Sequence, residues 1–482
     1  MATQQQSAGS STTLIIFGAT GDLTQRKLLP ALFDLHVKQL LPASFRIVAF
    51  SRRELSHEAF RLFAEEALRA RRPEAAGDFR AFLDRIFYQQ GNFDDAKSYE
   101  ALAEALIAIN PEELEHASNK MFYLAVPPVY YETILRNLAY SGLTIPWNAT
   151  GWTRVLIEKP FGNNSETAER LDKLLGLLFK EEQIFRIDHY LAKETIQNIL
   201  TFRFSNALFE PIWDHRYIDR VHIQLFEADG VGTRGAFYDG VGALRDVGQN
   251  HLLQMLSLIA MEHPGELTAE NVRQKRVEIL SALRPLHVES ATQQAARGQY
   301  VGYRKEKNVN PASSTETYFR VMAHCDTKRW RSVPFILESG KKMHETKTEI
   351  SLFFKKTESC LCPPEAEQHH ENVLTFRIQP EEGISLLFWA KKPGFQFHLE
   401  PKKLFFAYQG GQDNLLLPDA YERVLFDCIR GDQLLFTSTE EVAAAWRFTM
   451  SILGAWGNVP LESYTSGKEG SRGTMILSSD SF

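Results

Sequence analysis

Cysteine is scarce: Cys325, Cys360, Cys362 and Cys428 are the only four in a chain of 482 residues. So few thiols build no disulfide framework, which fits a reducing compartment. Positive charge is also short, with 54 Lys and Arg against 60 Asp and Glu, a formal net charge of −6. A nucleic-acid backbone would meet no overall attractive field, so no nucleic-acid partner is expected, and an anionic substrate has to be held by local cations. No apolar run approaches the length of a bilayer span, so no membrane partner is expected either. The opening residues, MATQQQSAGSS, carry neither a basic segment nor an apolar core, so 1–11 read as a disordered polar tail rather than a signal peptide. These absences together point to the cytoplasm.

The rest of the composition is that of a globular protein. Hydrophobic residues make up 44% and charged residues 24%, enough to bury sizeable cores, and the length calls for at least two domains. From Thr12 to about Arg186, β-branched and aromatic runs (TTLIIFG, FRIVAFS, RIFYQQGN, KMFYLAV, RVLIEKP) alternate with amphipathic stretches near 56–71, 96–109, 128–141 and 165–180. Such βαβα alternation predicts a doubly wound parallel sheet over 12–187, a Rossmann-like dinucleotide-binding domain with its ligand at the carboxyl ends of the strands.

Beyond Arg186 the pattern changes. A helix is expected near 188–201 and a long apolar one near 242–262. Strand candidates then follow in succession: GQYVGYR, ETYFRVMAHC, TEISLFFKK, NVLTFRIQ, ISLLFWAKK and KLFFAYQ. Successive strands with few intervening helices predict a larger α+β domain over 188–482 with a mostly antiparallel sheet. Helices near 419–430 and 439–456 are expected to cover one end or face of it.

Several motifs carry chemistry. TTLIIF runs into Gly18-Ala19-Thr20-Gly21-Asp22-Leu23 and then a helix, a turn whose glycines let backbone amides approach a pyrophosphate at a helix N-terminus. A tight β–α connection needs glycine too, so the turn alone is weak. FRIVAF ends in Ser51-Arg52-Arg53 in place of the acid that binds ribose hydroxyls, and an arginine there can grip a 2′-phosphate; a solvated basic turn is the plain alternative. Glu158-Lys159-Pro160-Phe161-Gly162 places Lys159 where cofactor and substrate would meet.

In RIDHYLAKE (186–194), a helical conformation would set His189 and Lys193 four apart on one face, with Tyr190 beside them, a grip suited to phosphate. In GALRDVGQNHLLQM (242–255), Asp246, Asn250 and Gln254 form an i, i+4, i+8 stripe, with His251 at its edge, on a helix that is apolar nearly all round from Leu252 to Met261. Buried polar groups need partners. The stripe is either a self-satisfied network or the wall of a polar pocket in which His251 exchanges protons near neutral pH. Cys360, Cys362, His369 and His370 have zinc-ligand chemistry, but their acidic, proline-containing segment reads as a loop between strands, and no metal is expected.

Together these motifs resemble the glucose-6-phosphate dehydrogenase family. GATGDLTQRKLLPAL, EKPFG, RIDHYLAKE, GALRDVGQNHLLQM, VPFILESGKK and LPDAYERVLFD stand in the family's order along nearly the whole chain. The resemblance implies oxidation of β-D-glucose 6-phosphate at C1 to 6-phosphoglucono-1,5-lactone with NADP⁺, in the oxidative pentose phosphate pathway.

By position it also implies roles. Gly18, Ala19, Thr20, Gly21, Asp22, Leu23, Thr24, Gln25, Arg52, Tyr131 and Lys159 are expected at NADP⁺. Lys159, His189, Tyr190, Lys193, Glu227, Asp246, Lys341 and Gln379 are expected at the sugar phosphate, His251 as general base, and Asp188 as the carboxylate that orients it. Family likeness further implies a homodimer or homotetramer joined through the second domain's sheet. Three departures stand out. Ala192 replaces a glycine. Thr346 replaces an arginine near the substrate in mammalian enzymes, with Lys347 next to it. Glu338 replaces an arginine of a second, structural NADP⁺ site, which is not expected here because the chain also stops at Phe482.

Overall fold

The structure is a computed structural model that describes residues 11–73, 79–109, 118–356, 371–408, 417–465 and 467. They form two compact units. The first gathers residues up to Gly162, Glu166–Ala192 and Pro418–Thr439; the second gathers Asn163–Ser165, Lys193–Leu417 and the chain from Glu440 onward. The Cys360, Cys362, His369 and His370 segment lies outside the described residues, as do residues 1–10 of the expected tail. Ser11, placed in that tail by its polar neighbours, instead opens the first strand and pairs with Ser118.

In the first unit, β1 (Ser11–Phe17), β2 (Phe45–Ser51), β3 (Ile86–Gln90), β4 (Ser118–Leu124), β5 (Thr153–Glu158) and β6 (Ile184–Ile187) are parallel, in the order β6-β5-β4-β1-β2-β3. Burial on both faces explains their near-continuous apolar sequences: Leu14, Ile15, Phe17, Ile47, Val48, Phe122 and Leu156 are wholly buried. The crossovers are amphipathic helices such as His57–Arg71, started by Ser56, whose hydroxyl accepts the Ala59 amide at 3.1 Å. Strand order reverses between β1 and β4, the place where a doubly wound sheet opens a crevice.

The helix Ala420–Arg430 departs from expectation. It belongs to the first unit and not to the unit that holds the antiparallel sheet. The reason is Arg154 on β5, half-buried over the Trp152 ring (3.6 Å), whose Nη1 donates to the terminal carbonyls of Cys428 (2.7 Å) and Ile429 (2.8 Å). Gly431, at φ +79° and packed on that guanidinium, lets the chain turn away. The short strand Phe436–Thr437 then adds antiparallel to β6.

The second unit has a nine-stranded sheet. Its strands are β7 (Ile218–Phe226), β8 (Ala295–Tyr300), β9 (Tyr318–Ala323), β10 (Phe335–Gly340), β11 (Lys347–Phe354), β12 (Val373–Gln379), β13 (Gly383–Lys391), β14 (Leu399–Ala407) and Leu461–Tyr464. The order is β14-β13-β12-β11-β7-β10-β9-β8 followed by Leu461–Tyr464, antiparallel except at β7–β10 and at the last pair. β7 and β10, the parallel pair near its middle, were not among the expected strands. Indole donors from the loops that precede β7 and β10 hold the end of the helix Leu253–Ala260: Trp213 Nε1 reaches the Ile259 carbonyl (2.9 Å) and Trp330 Nε1 the Ala260 carbonyl (2.7 Å).

Because Arg154 holds the end of Ala420–Arg430, its replacement tests the attachment. Losing charge-assisted bonds of this kind costs about 1.5–3 kcal/mol. Arg154→Met should lower unfolding stability in urea by that amount and open the helix Ala420–Arg430 to limited proteolysis, with far-UV circular dichroism unchanged.

Candidate active site

In the first unit the candidate residues stand at strand ends. Gly18 follows β1 at φ +83°, and a Cβ there would lie 2.5 Å from the Ala125 carbonyl, so only glycine fits. The Gly21 amide donates to Gly18 O (2.8 Å), Thr24 Oγ1 donates to the same oxygen (3.3 Å), and Gln25 Nε2 donates to Thr20 O (3.2 Å). Thr20 Oγ1 and Ser51 Oγ lie 2.9 Å apart, linking this turn to the end of β2. Asp22, exposed, and Leu23 lead into a helix that is π-wound over Thr24–Leu28. Ala19 is fully buried. The bare backbone at Gly18 and the first helical turn suit a pyrophosphate. Arg52, one residue past β2, is exposed, with its guanidinium 5.8 Å from the Phe93 ring.

Lys159 follows β5 and Asp188 follows β6, on neighbouring parallel strands in register at Glu158 and Ile187. Asp188 is 2% exposed, and its Oδ1 accepts the Tyr190 amide at 3.0 Å while Leu191 N reaches Asp188 O at 3.0 Å. That local turn overrides the expected helix. Residues 189–192 form turns, and Lys193 is the extended residue (φ −74°, ψ 141°) that starts the helix Glu194–Phe204. His189 and Lys193 therefore do not share a helix face. His189 packs on Tyr190 (4.9 Å) and stacks on Tyr421 (5.9 Å, 18°), a residue from the Ala420–Arg430 helix. Tyr131 is 1% exposed, and its hydroxyl donates to the Glu158 carbonyl at 2.9 Å, so it braces the end of β5.

The second unit holds the other candidates. Lys341, buried just past β10, pairs with Glu227, just past β7, and its Nζ lies 5.1 Å from the Tyr238 ring. Asp246 lies 3.7 Å from Arg234. His251 is 2% exposed, Asn250 5% and Gln254 2%. Their helix is not uniform: Leu244–Leu252 is π-wound, and only Leu253–Ala260 is α-helical. Gln379 ends β12 in a cis peptide bond to Pro380. Two buried atoms here, Tyr238 Oη and Gln254 Oε1, have no hydrogen-bond partner among the described residues, a condition that is uncommon for buried polar atoms. The sequence reading missed Tyr238, and also Glu158, Tyr421 and Lys27, whose Nζ lies 5.8 Å from the Tyr421 ring.

Comparison with known proteins decides what these pieces belong to. The family described as "Glucose-6-phosphate dehydrogenase, NAD binding domain" matches residues 15–198, and "Glucose-6-phosphate dehydrogenase, C-terminal domain" matches 200–480. The chain belongs to the glucose-6-phosphate dehydrogenase family.

It is 41% identical over 469 residues to the glucose-6-phosphate 1-dehydrogenase of Chlamydia muridarum, covering 92% of this chain and 90% of that one. To the Bacillus subtilis enzyme of the same name it is 38% identical over 482 residues, covering 98% and 96%. A solved structure described as glucose-6-phosphate dehydrogenase in complex with its substrate glucose-6-phosphate superposes with a TM-score of 0.86 at 31% identity, covering 95% of each chain. The glucose-6-phosphate 1-dehydrogenase from Mycobacterium avium gives 0.81 at 30%, covering 96% of this chain and 95% of that one. The first sheet is thus a nicotinamide-cofactor domain.

As a member of the glucose-6-phosphate dehydrogenase family, the chain is particular at two of its departures. Thr346 Oγ1 accepts the Ala228 amide (3.1 Å), and Lys347 pairs with Glu345 (3.4 Å) and Glu349 (3.1 Å), so a substrate contact from Lys347 would have to compete with both acids. Glu338 accepts from His222 (2.8 Å), Tyr318 (2.6 Å) and Gln224 (2.9 Å).

The Gly18 geometry sets a prediction. Gly18→Ala would push a methyl into the Ala125 carbonyl at a backbone angle that disfavours alanine by about 1–2 kcal/mol before the clash is counted. The variant should lose at least that much stability in thermal unfolding and should bind nicotinamide dinucleotide at least about 10-fold more weakly by fluorescence titration.

Proposed function

We propose that the chain oxidises D-glucose 6-phosphate at C1 to 6-phospho-D-glucono-1,5-lactone with NADP⁺ as hydride acceptor. The observation that carries the reading is a chain of this family that keeps Asp188 and His189 directly after β6 and a buried His251 on a largely buried helix. The division of labour follows the sequence: 12–187 bind the dinucleotide, and 188–482 bind the sugar and join protomers. NADP⁺ supplies the two-electron acceptor when bound. Gly18 to Gln25 and Lys159, with Tyr131 behind it, hold it, and Arg52 takes the 2′-phosphate, since no carboxylate stands at that strand end to prefer free ribose hydroxyls.

On the sugar side, His189, Tyr190 and Lys193 take the phosphate, and Glu227, Asp246, Lys341, Lys159 and Gln379 the hydroxyls. C1 releases hydride readily only as its hydroxyl loses a proton, so a base must stand within hydrogen-bond reach of that oxygen. His251 is that base. Asp188 fixes its tautomer and stabilises the imidazolium, as a carboxylate does in a Ser-His-Asp arrangement. The partner is a second copy of the chain, as dimer or tetramer. The outer strand β14 supports this, leaving Leu404, Phe405 and Phe406 at 50–60% exposure, an apolar row of the kind that assemblies cover. Among the described residues no helix is long and apolar enough to cross a membrane, and a cytoplasmic site of action is part of the proposal.

Two measurements test it. Following reduced nicotinamide with glucose 6-phosphate, His251→Asn should lower kcat by about 10²–10⁴ with a modest change in KM for the sugar phosphate; near-normal kcat would remove His251 from the mechanism. Arg52→Ala should raise KM for NADP⁺ roughly 10- to 150-fold and leave KM for NAD⁺ nearly unchanged. Equal losses with the two cofactors would take the 2′-phosphate away from Arg52.

A further inference from the structure

The start of the helix that carries His251 forms part of the wall of a cavity that none of the roles above uses. The cavity lies within the second unit and measures 280 Å³, far more than a single water needs. Its wall is drawn from separate parts of the chain: Arg245 on the helix, Arg297 on β8, Ser314 and Glu316 just before β9, and Trp456 just past the helix Thr439–Ala455. None of these residues is among those assigned to glucose 6-phosphate or to NADP⁺.

The two arginines are held in place but not neutralised. Arg245 Nη1 donates to the Val241 carbonyl (3.1 Å) and Arg297 Nε to the Val459 carbonyl (2.8 Å), and neither guanidinium has an ion pair among the described residues. Arg203 and Arg276, enclosed in the same unit, are each paired with an acid, Glu210 and Glu441. Trp456, 4% exposed, adds an indole N–H that has no acceptor among the described residues, an uncommon state for a buried polar atom. The one acid of the wall, Glu316, is turned to the backbone. Its carbonyl accepts the Ala243 amide (3.1 Å) and its Oε1 the Leu244 amide (3.0 Å), and Gly242, at φ +77°, passes so close that a Cβ would lie 2.2 Å from that carboxylate oxygen.

We propose that this cavity binds a small tetrahedral oxyanion, inorganic phosphate or the phosphate of a small monoester, between Arg245 and Arg297, as a site separate from the sugar-phosphate clamp. Guanidinium forks match the oxygens of a phosphate and bind it through charge-assisted hydrogen bonds. An occupant held by Arg245 bears directly on the helix that carries His251.

The site also carries a pH dependence. The groups facing the Glu316 carboxyl are Arg245 from the His251 helix, Arg297 from β8 and Tyr238 from the short helix Gly235–Tyr238, with the Leu244 amide as its donor. Burial pushes the carboxyl up to about 7 against that amide and the two guanidinium charges. Below that pH Glu316 is neutral and the wall holds two cations with no anion. Above it Glu316 is charged and repels an incoming anion. Binding therefore takes up a proton, and affinity falls as pH rises through neutrality.

Isothermal titration calorimetry on the full chain tests the site. With glucose 6-phosphate at saturation and no NADP⁺, the sugar-phosphate clamp is filled and nothing turns over. Inorganic phosphate and glycerol 3-phosphate are then titrated in turn; one anion should bind per chain, and the tighter of the two tells free phosphate from a monoester. Arg297→Gln should weaken that binding roughly 10- to 150-fold. Gly457, on the cavity wall, has open space beside its Cα, so Gly457→Asp adds a negative charge without a clash and should weaken binding likewise, while the neutral Gly457→Asn should not. Sulfate keeps its charge across neutrality, so its affinity should fall about 10-fold between about pH 6 and about pH 8 and stay level in Glu316→Gln.

Glucose 6-phosphate is itself a monoester: two equivalents bound per chain, one of them lost in Gly457→Asp, would support the same site with the sugar phosphate as its occupant. A single equivalent of glucose 6-phosphate with no further anion, or equal anion binding by Gly457→Asp and Gly457→Asn, would overturn the proposal. A sulfate affinity indifferent to pH would remove Glu316 from it.

Discussion

A parallel sheet can be closed only by crossovers, and that constraint shapes the first unit. Each crossover covers a face, so no face remains for a ligand, and the carboxyl edge of the sheet is the place left. Each strand then contributes little more than the residue at which it stops: Gly18 from β1, Arg52 from β2, Lys159 from β5, Asp188 from β6. Precision at this edge depends on what lies one residue further in. Ser51 meets Thr20, Tyr131 holds the Glu158 carbonyl, and the Asp188 carboxylate folds its own chain into a turn. The strands that end at the edge are buried over their last four residues, which makes these stops rigid.

Burial alone does not decide how the acids of this protein are charged. Glu316 and Glu338 are both enclosed in the second unit. For Glu338, burial is outweighed by His222, then Tyr318 and Gln224, and the carboxyl is held down to about 2. For Glu316, burial prevails: the Leu244 amide at 3.0 Å and the charges of Arg245 and Arg297 oppose it, yet the carboxyl rises to about 7. Direct donors at hydrogen-bond distance are worth more than guanidinium charges felt at longer range. Glu338 therefore stays a fixed anion on the sheet. Glu316 changes charge near neutrality at the start of the helix that carries His251, where its backbone oxygen and one carboxylate oxygen accept the Ala243 and Leu244 amides.

Much of this was legible in the sequence because period and motif agree there. The βαβα half is announced by apolar runs that only a doubly covered sheet can use, and the strand-end motifs fall where those runs stop. β7 was legible too: in IDRVHIQLF the buried Val221, Ile223 and Leu225 alternate with Arg220, His222 and Gln224. It was overlooked because it stands alone between helical stretches, with its partners β10 and β11 more than a hundred residues on. The position of Ala420–Arg430 was not legible. Its docking depends on Arg154, 274 residues earlier, and nothing local to either segment announces the other. The turn at 188–192 fails for a local reason: RIDHYLAK has helical spacing, but an aspartate that caps its own chain at Tyr190 outcompetes the helix.

The winding of Leu244–Leu252 bears on the chemistry most directly. In an α-helix Asp246 and His251 would stand about 140° apart, which is why the sequence puts His251 at the edge of the Asp246, Asn250, Gln254 stripe. In an i→i+5 winding, residues five apart lie nearly above one another, so Asp246 and His251 come onto one side. Two local features favour the wider turn. Gly248 lets the backbone close on Phe319 and Leu244, where a Cβ would sit 2.8 Å from each. Asn250 takes over backbone bonding, its Nδ2 donating to Arg245 O (3.2 Å) and its Oδ1 accepting the His251 amide (2.7 Å). Wide turns are poor helix geometry and need such support to persist. The same winding recurs at Thr24–Leu28, directly after the glycine turn. Both stretches lie where the proposed cofactor and base residues are, so the backbone departs from regular α-winding in the places where side-chain direction matters most.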